Sequence, residues 1–173
     1  MSEVENTLNN RKTKNIALGG ILASVAIVIM CLGGLIPFST YVCPVLCILV
    51  GNIYISICGI KMGWVWYFAV SILSMLIAPD REAAAFYLFL GAYPCVRGIL
   101  NKLPMSWILK LLYFNVATLA SYGVSVYILG LKEIDLEFRE LGYIGLIVLV
   151  ILSNVTFVLL DHLLAKTRKM KRG

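Results

Sequence analysis

Residues Ile16 to Phe38 read IALGGILASVAIVIMCLGGLIPF, an apolar run without one charged side chain. Its length decides what it is. A hydrocarbon core of roughly 30 Å accepts about 20 apolar residues in helical form. A secretory signal carries a shorter apolar region and a small-residue cleavage site ahead of a mature domain. Ile16 to Phe38 outruns the second pattern and fits the first, so it is expected to remain in the chain as a membrane span.

Outward from it the pattern recurs. Further apolar segments run from Tyr41 to Ile60, Met62 to Ala78, Ala83 to Leu100, Met105 to Leu131 and Leu141 to Ala165. The composition agrees, because 61% of the 173 residues are hydrophobic and 14% charged, whereas about a quarter are charged in ordinary soluble domains. Mean hydropathy is +0.92. Lipid offers no partner for a backbone amide, so runs of this length cross it as helices with internal hydrogen bonds. The expected fold is all-α, a polytopic integral membrane six-helix bundle. Residues 1–14 form a cytoplasmic N-terminal segment, 15–165 the six-span domain, and 166–173 a basic cytoplasmic tail.

The links are short and hold breaker residues: PFST at Pro37 to Thr40, GIKMG at Gly59 to Gly63, PDRE at Pro79 to Glu82 and NKLP at Asn101 to Pro104. Such links join antiparallel neighbours. The longest, LKEIDLEFRELG at Leu131 to Gly142, alternates charged and apolar residues and reads equally as an interfacial strand or helix. The ends, MSEVENTLNNRKTK and KTRKMKRG, are expected to be poorly ordered.

Basic residues set the orientation. With the N-terminus in the cytoplasm, only Arg81, Lys132 and Arg139 of the 15 Lys and Arg lie outside, which satisfies the positive-inside rule. An even number of spans returns the C-terminus to the same side, giving a multi-pass cell-membrane protein with both termini cytoplasmic. The net charge of +6 is then a topology signal. The tail KTRKMKRG meets anionic lipid, at about 1 kcal/mol per basic residue, and no nucleic-acid partner is expected.

Motifs for chemistry are thin. The chain has no GxxxxGK[ST] loop, no HExxH pair and no GxSxG elbow, and its only histidine is His162. An aspartyl membrane enzyme needs two acids sharing a site, yet Asp161 is the clearest acid in any span. An isolated charge there is costly, so Asp161 is expected to pair with Lys110 or Arg97 at the same depth. Cys31, Cys43, Cys47, Cys58 and Cys95 all lie in apolar runs and read as reduced packing residues. Cys43 and Cys47 sit one turn apart but lack the His or acidic partners of a metal site. No enzyme activity, metal or cofactor is expected.

Polar side chains within spans face the bundle interior and become the candidates for a ligand site. Asn115, Ser121, Tyr122 and Ser125 lie in the fifth span, Asn154 in the sixth, and Tyr87 and Tyr93 in the fourth. Pro94, after Gly91, is expected to kink the fourth span and free backbone carbonyls to a partner or a cavity. Tyrosines and amides can line a pocket for a small polar aromatic ligand, or serve as interhelical glue worth about 0.6 kcal/mol each. In PDRE, Asp80 or Glu82 is expected to cap the fourth helix, with Arg81 an outer gate for an anionic group. The expected binding set is Arg81, Tyr87, Asn115, Tyr122 and Asn154.

In the first span, Gly19 with Ala23, and Gly20 with Ser24, form small-xxx-small pairs that let another backbone approach closely. That neighbour is either in the same chain or in another subunit. A basic N-terminal segment, this first helix ending in LGGLIPF, six spans and no ATPase motif together resemble the substrate-binding S components of energy-coupling factor transporters. The resemblance implies a six-helix bundle with an outward-opening solute pocket built mainly from helices four to six and the outer loops. It implies as partners a membrane coupling subunit and cytosolic ATPases that hydrolyse ATP. An Ala-xxx-Ala face on helix one makes that docking contact in the family; Gly19 and Ala23 hold the matching positions here, with Gly in place of the first Ala. The function so implied is capture of a small solute in an uptake transporter. Two other classes remain: a structural or assembly subunit, and a membrane enzyme acting on lipid.

Overall fold

Glycine and proline divide the chain where the sequence places them. The computed structural model describes residues 2–33, 39–102, 104–127, 147 and 150–164, and the described residues contain helices and short links without strands. In chain order the helices are α1 (Ser2–Gly33), α2 (Ser39–Cys58), α3 (Ile60–Ile77), α4 (Arg81–Leu90), α5 (Tyr93–Leu100) and α6 (Ser106–Tyr127). A further apolar helix, α7, covers Val150–Leu164. The all-α expectation holds.

Five stretches are long and apolar enough to cross a membrane: Lys12–Gly33, Thr40–Cys58, Ile60–Ile77, Arg81–Leu100 and Ser106–Ser125. Helix α7 falls inside the expected sixth span, Leu141 to Ala165, the remainder of which lies largely outside the described residues. Large apolar side chains such as Val65, Ile72, Leu76, Leu112 and Leu159 face outward. In water so much apolar surface would drive association, whereas lipid tails accept it at no cost. The fold is consistent with a multi-pass membrane protein. The link Leu131 to Gly142 and the tail 166–173 lie outside the described residues.

Two boundaries differ from the sequence reading. The N-terminal segment 1–14 is helical from Ser2 onward, where poor order was expected, because it continues α1 without a break. Nothing in SEVENTLNNRKTK stops a helix, since it holds neither Gly nor Pro. The fourth span is two helices, α4 and α5, separated by the turn Gly91–Ala92. Elsewhere a single residue, Gly59, joins α2 to α3. Its φ of 90° lies in the left-handed region that a side chain disfavours.

Helix α2 is central, packing against α1, α3, α4 and α5, while α4 packs against α6. The core between them includes Met30, Ile48, Tyr87, Tyr93 and Phe114, and Phe157 and Leu160 bring α7 onto it.

Candidate functional site

Pro94 has no N–H to donate, and a chain approaching it must release carbonyls in the preceding turn. Helix α4 accordingly closes on the bond from Gly91 N–H to the Tyr87 carbonyl, 2.7 Å, and α5 starts afresh at Tyr93 with Pro94 in its first turn. Two flanking helices take up the carbonyls next to the break. The Tyr67 hydroxyl of α3 donates to the Leu88 carbonyl, and the Tyr113 hydroxyl of α6 donates to the Phe89 carbonyl at 3.0 Å. Two of the carbonyls beside the break, those of Leu88 and Phe89, thus go to partners within the chain. No sequence signal singled out these two tyrosines, because the residue each one reaches depends on how the helices pack.

Below the break lies an ion cluster. Asp161 Oδ1 accepts from the Tyr93 hydroxyl at 2.7 Å and from Arg97 Nε at 2.6 Å. Arg97 Nη2 also donates to the Asp161 backbone carbonyl at 3.3 Å, and Lys110 Nζ stands 3.8 Å from the same Oδ1. Both cations expected as partners for Asp161 are therefore present. Arg97 and Lys110 are 5% and 6% exposed, so this is a buried cluster in which removing the carboxylate would strand two charges. Arg97 lies in the last turn of α5, where a cation also complements the helix dipole. The Tyr93 ring, 6.0 Å from the rings of both Tyr113 and Phe157, ties the cluster to the core.

Near the middle of α6 and in the early turns of α7 the two amides find each other. Asn115 Nδ2 donates to Asn154 Oδ1 at 3.1 Å, and Asn154 Nδ2 returns a bond to Asn115 Oδ1 at 3.3 Å. Each amide also donates to a carbonyl of its own helix, Asn115 to Leu111 and Asn154 to Val150. One turn away the hydroxyls of Thr118 and Ser153 share a bond of 2.8 Å, and Ser121 donates to the Thr118 carbonyl at 2.8 Å. Thr118, Ser121 and Ser125 are all buried on one face of α6.

The remaining expected residues lie on α4 and α6 in different surroundings. Tyr87 is wholly buried, its ring 6.2 Å from that of Tyr67. Arg81 is exposed at the first position of α4. Tyr122 is half-buried in α6. Of the five, Asn115 and Asn154 are brought together. Beside Arg81, Asp80 caps α4 by accepting from Ala83 N–H at 3.0 Å, as the sequence reading allowed. Glu82 instead accepts from the Tyr41 hydroxyl at 3.1 Å. An open apolar groove of about 660 Å³ runs along α7, lined by Ile151, Asn154, Val155, Val158, Leu159 and His162.

The small face of α1 is filled from within the chain. The Gly19 carbonyl accepts from Trp66 Nε1 at 3.1 Å. A Cβ at Gly19 would stand 2.8 Å from the Tyr54 hydroxyl oxygen, and that hydroxyl donates to the Asn15 carbonyl at 3.3 Å. Ala23 packs partly buried against the same core. The second pair is different: Gly20 and Ser24 are exposed, and nothing stands within 4 Å of a Cβ at Gly20. Among the described residues no group of three or more His, Cys, Asp or Glu gathers as a metal site would require. No family model, curated protein or solved structure matches this chain.

Proposed function

We propose that this chain is the membrane-embedded solute-binding subunit of an ATP-driven uptake transporter, of the kind the energy-coupling factor S components represent, with both termini cytoplasmic. The observation that supports the reading is the buried hydroxyl face of α6, Thr118, Ser121 and Ser125, in the half of that helix nearer the outer surface in this orientation. Hydroxyls each carry a donor and two acceptor sites, so bonds within the bundle leave capacity for a small polar solute. The Asn115–Asn154 pair forms the floor of that site, and Tyr122 lies one residue from Ser121. Exposed Arg81 serves as the gate for an anionic group.

Outer loops close over the solute, and movement against a membrane coupling subunit turns the site inward, with cytosolic ATPases hydrolysing ATP. The solute must bind the two states unequally, because a ligand with equal affinity for both shifts nothing. Gly20 and Ser24, exposed on α1, offer that partner a close approach, while Gly19 is engaged by Tyr54 and Trp66.

A second reading, an assembly subunit without a solute, is favoured by the mutual satisfaction of the two amides. Isolation of the full chain from native membranes, with mass spectrometry of proteins and small molecules, separates the two. The transporter reading expects an ATPase, a membrane partner and a retained small polar molecule, the last lost in Ser121→Leu. A stoichiometric membrane companion with neither ATPase nor small molecule would establish the assembly role instead.

A further inference from the structure

We propose that Arg97 and Lys110 form a binding site for a phosphate-class oxyanion, at the end of the bundle where α5 stops and α6 starts. Charge balance is the starting point. Two cations surround one carboxylate, and among the described residues the contacts to that carboxylate converge on a single oxygen, Asp161 Oδ1. Arg97 holds that oxygen at 2.6 Å, whereas Lys110 stands 3.8 Å away, beyond hydrogen-bond reach. Lys110 thus carries three donors and is only 6% exposed, yet it makes no hydrogen bond among the described residues. A buried ammonium in that state is costly unless a negative group completes it.

The chemistry of the two cations selects the anion. Arg97 gives Nε and Nη2 to Asp161, which leaves the Nη1 side of its guanidinium for an oxyanion oxygen, and an ammonium serves as a compact point charge beside it. Arg97 and Lys110 each lie about one helical turn from the link between α5 and α6, and Asp161 bonds to Arg97 at the same depth. In a bilayer that depth is close to the phosphodiester level, so a lipid headgroup and a free phosphate both present the required group. Asp161 then acts as the positioning residue that holds Arg97 in place, and with two cations to one carboxylate the cluster keeps one positive charge in excess, carried on the Lys110 side.

The test uses the full chain in nanodiscs of phosphatidylcholine, alone or with phosphatidylglycerol, read by thermal unfolding and by native mass spectrometry of retained lipid. Phosphatidylglycerol is expected to be retained and to raise the unfolding temperature. Lys110→Gln weakens the effect about fivefold or more, and Lys110→Arg restores it. Lys102→Gln, at an exposed basic residue of the same end, leaves the effect unchanged. Inorganic phosphate added to pure phosphatidylcholine discs distinguishes the sources: a Lys110-dependent rise there assigns a free anion, and its absence beside a phosphatidylglycerol effect assigns a lipid. The proposal is overturned if wild type responds to neither, or if Lys102→Gln loses as much as Lys110→Gln.

Discussion

The two halves of the bundle are held together by different means. Between α1 and its neighbours α2 and α3, side chains reach backbone: Trp66 donates to the Gly19 carbonyl, Tyr54 to Asn15 and the Cys47 thiol to Ala26. Between α5, α6 and α7, side chains reach one another, through Asn115 and Asn154, Thr118 and Ser153, and Tyr93 and Arg97 with Asp161. A side chain that bonds to backbone depends on how near the helices can come, which small residues determine. One that bonds to another side chain depends on register, because a slip of one residue separates the pair. The first half is therefore sensitive to bulk, and the second to the loss of single polar atoms.

The strongest way to break this contrast is Asp161→Ala. It leaves Arg97 and Lys110 buried without their counter-charge, and should cost about 3 to 5 kcal/mol of stability, measured as the unfolding midpoint in detergent. A change below 1 kcal/mol would mean that the cluster is solvated and holds little together. Next comes bulk in the first half, where Gly19→Val drives two methyl groups toward Tyr54 and should cost about 1 to 3 kcal/mol. If Gly19→Val were as benign as a valine on the outward face, the close approach of α1 would not be what holds that half. The smallest effect is the amide coupling. A double-mutant cycle on Asn115→Ala and Asn154→Ala should yield an interaction energy of about 0.6 kcal/mol and no more than roughly 1.7. Zero coupling would remove register control from the second half.

The helices were legible because lipid demands long apolar runs, and Gly59, Gly91 and Pro94 mark the breaks between them. The helical start of α1 was not, since charged residues say nothing about span membership and yet propagate a helix already nucleated beside them. At the ion cluster the sequence was informative for a physical reason: a lone acid in a span requires a cation, and Arg97 and Lys110 were the ones at its depth. Tyr93 as the third group on Asp161 was not foreseen, because a hydroxyl carries no charge imbalance to betray its partner. Asn115 and Asn154 stood out as polar residues in lipid, but their pairing depends on the register of α6 against α7, which local sequence does not specify. Gly19 marked a close contact correctly in kind, and only the packing revealed that Tyr54 and Trp66 occupy it.

The interruption at Gly91–Ala92 carries one more consequence. Its neighbouring carbonyls are pinned by phenols from two other helices, Tyr67 on α3 and Tyr113 on α6. Straightening the fourth segment would have to uncouple both at once, and sliding either flanking helix along its axis would tug on the same elbow. That joint ties α3 and α6 to one elbow through two hydrogen bonds.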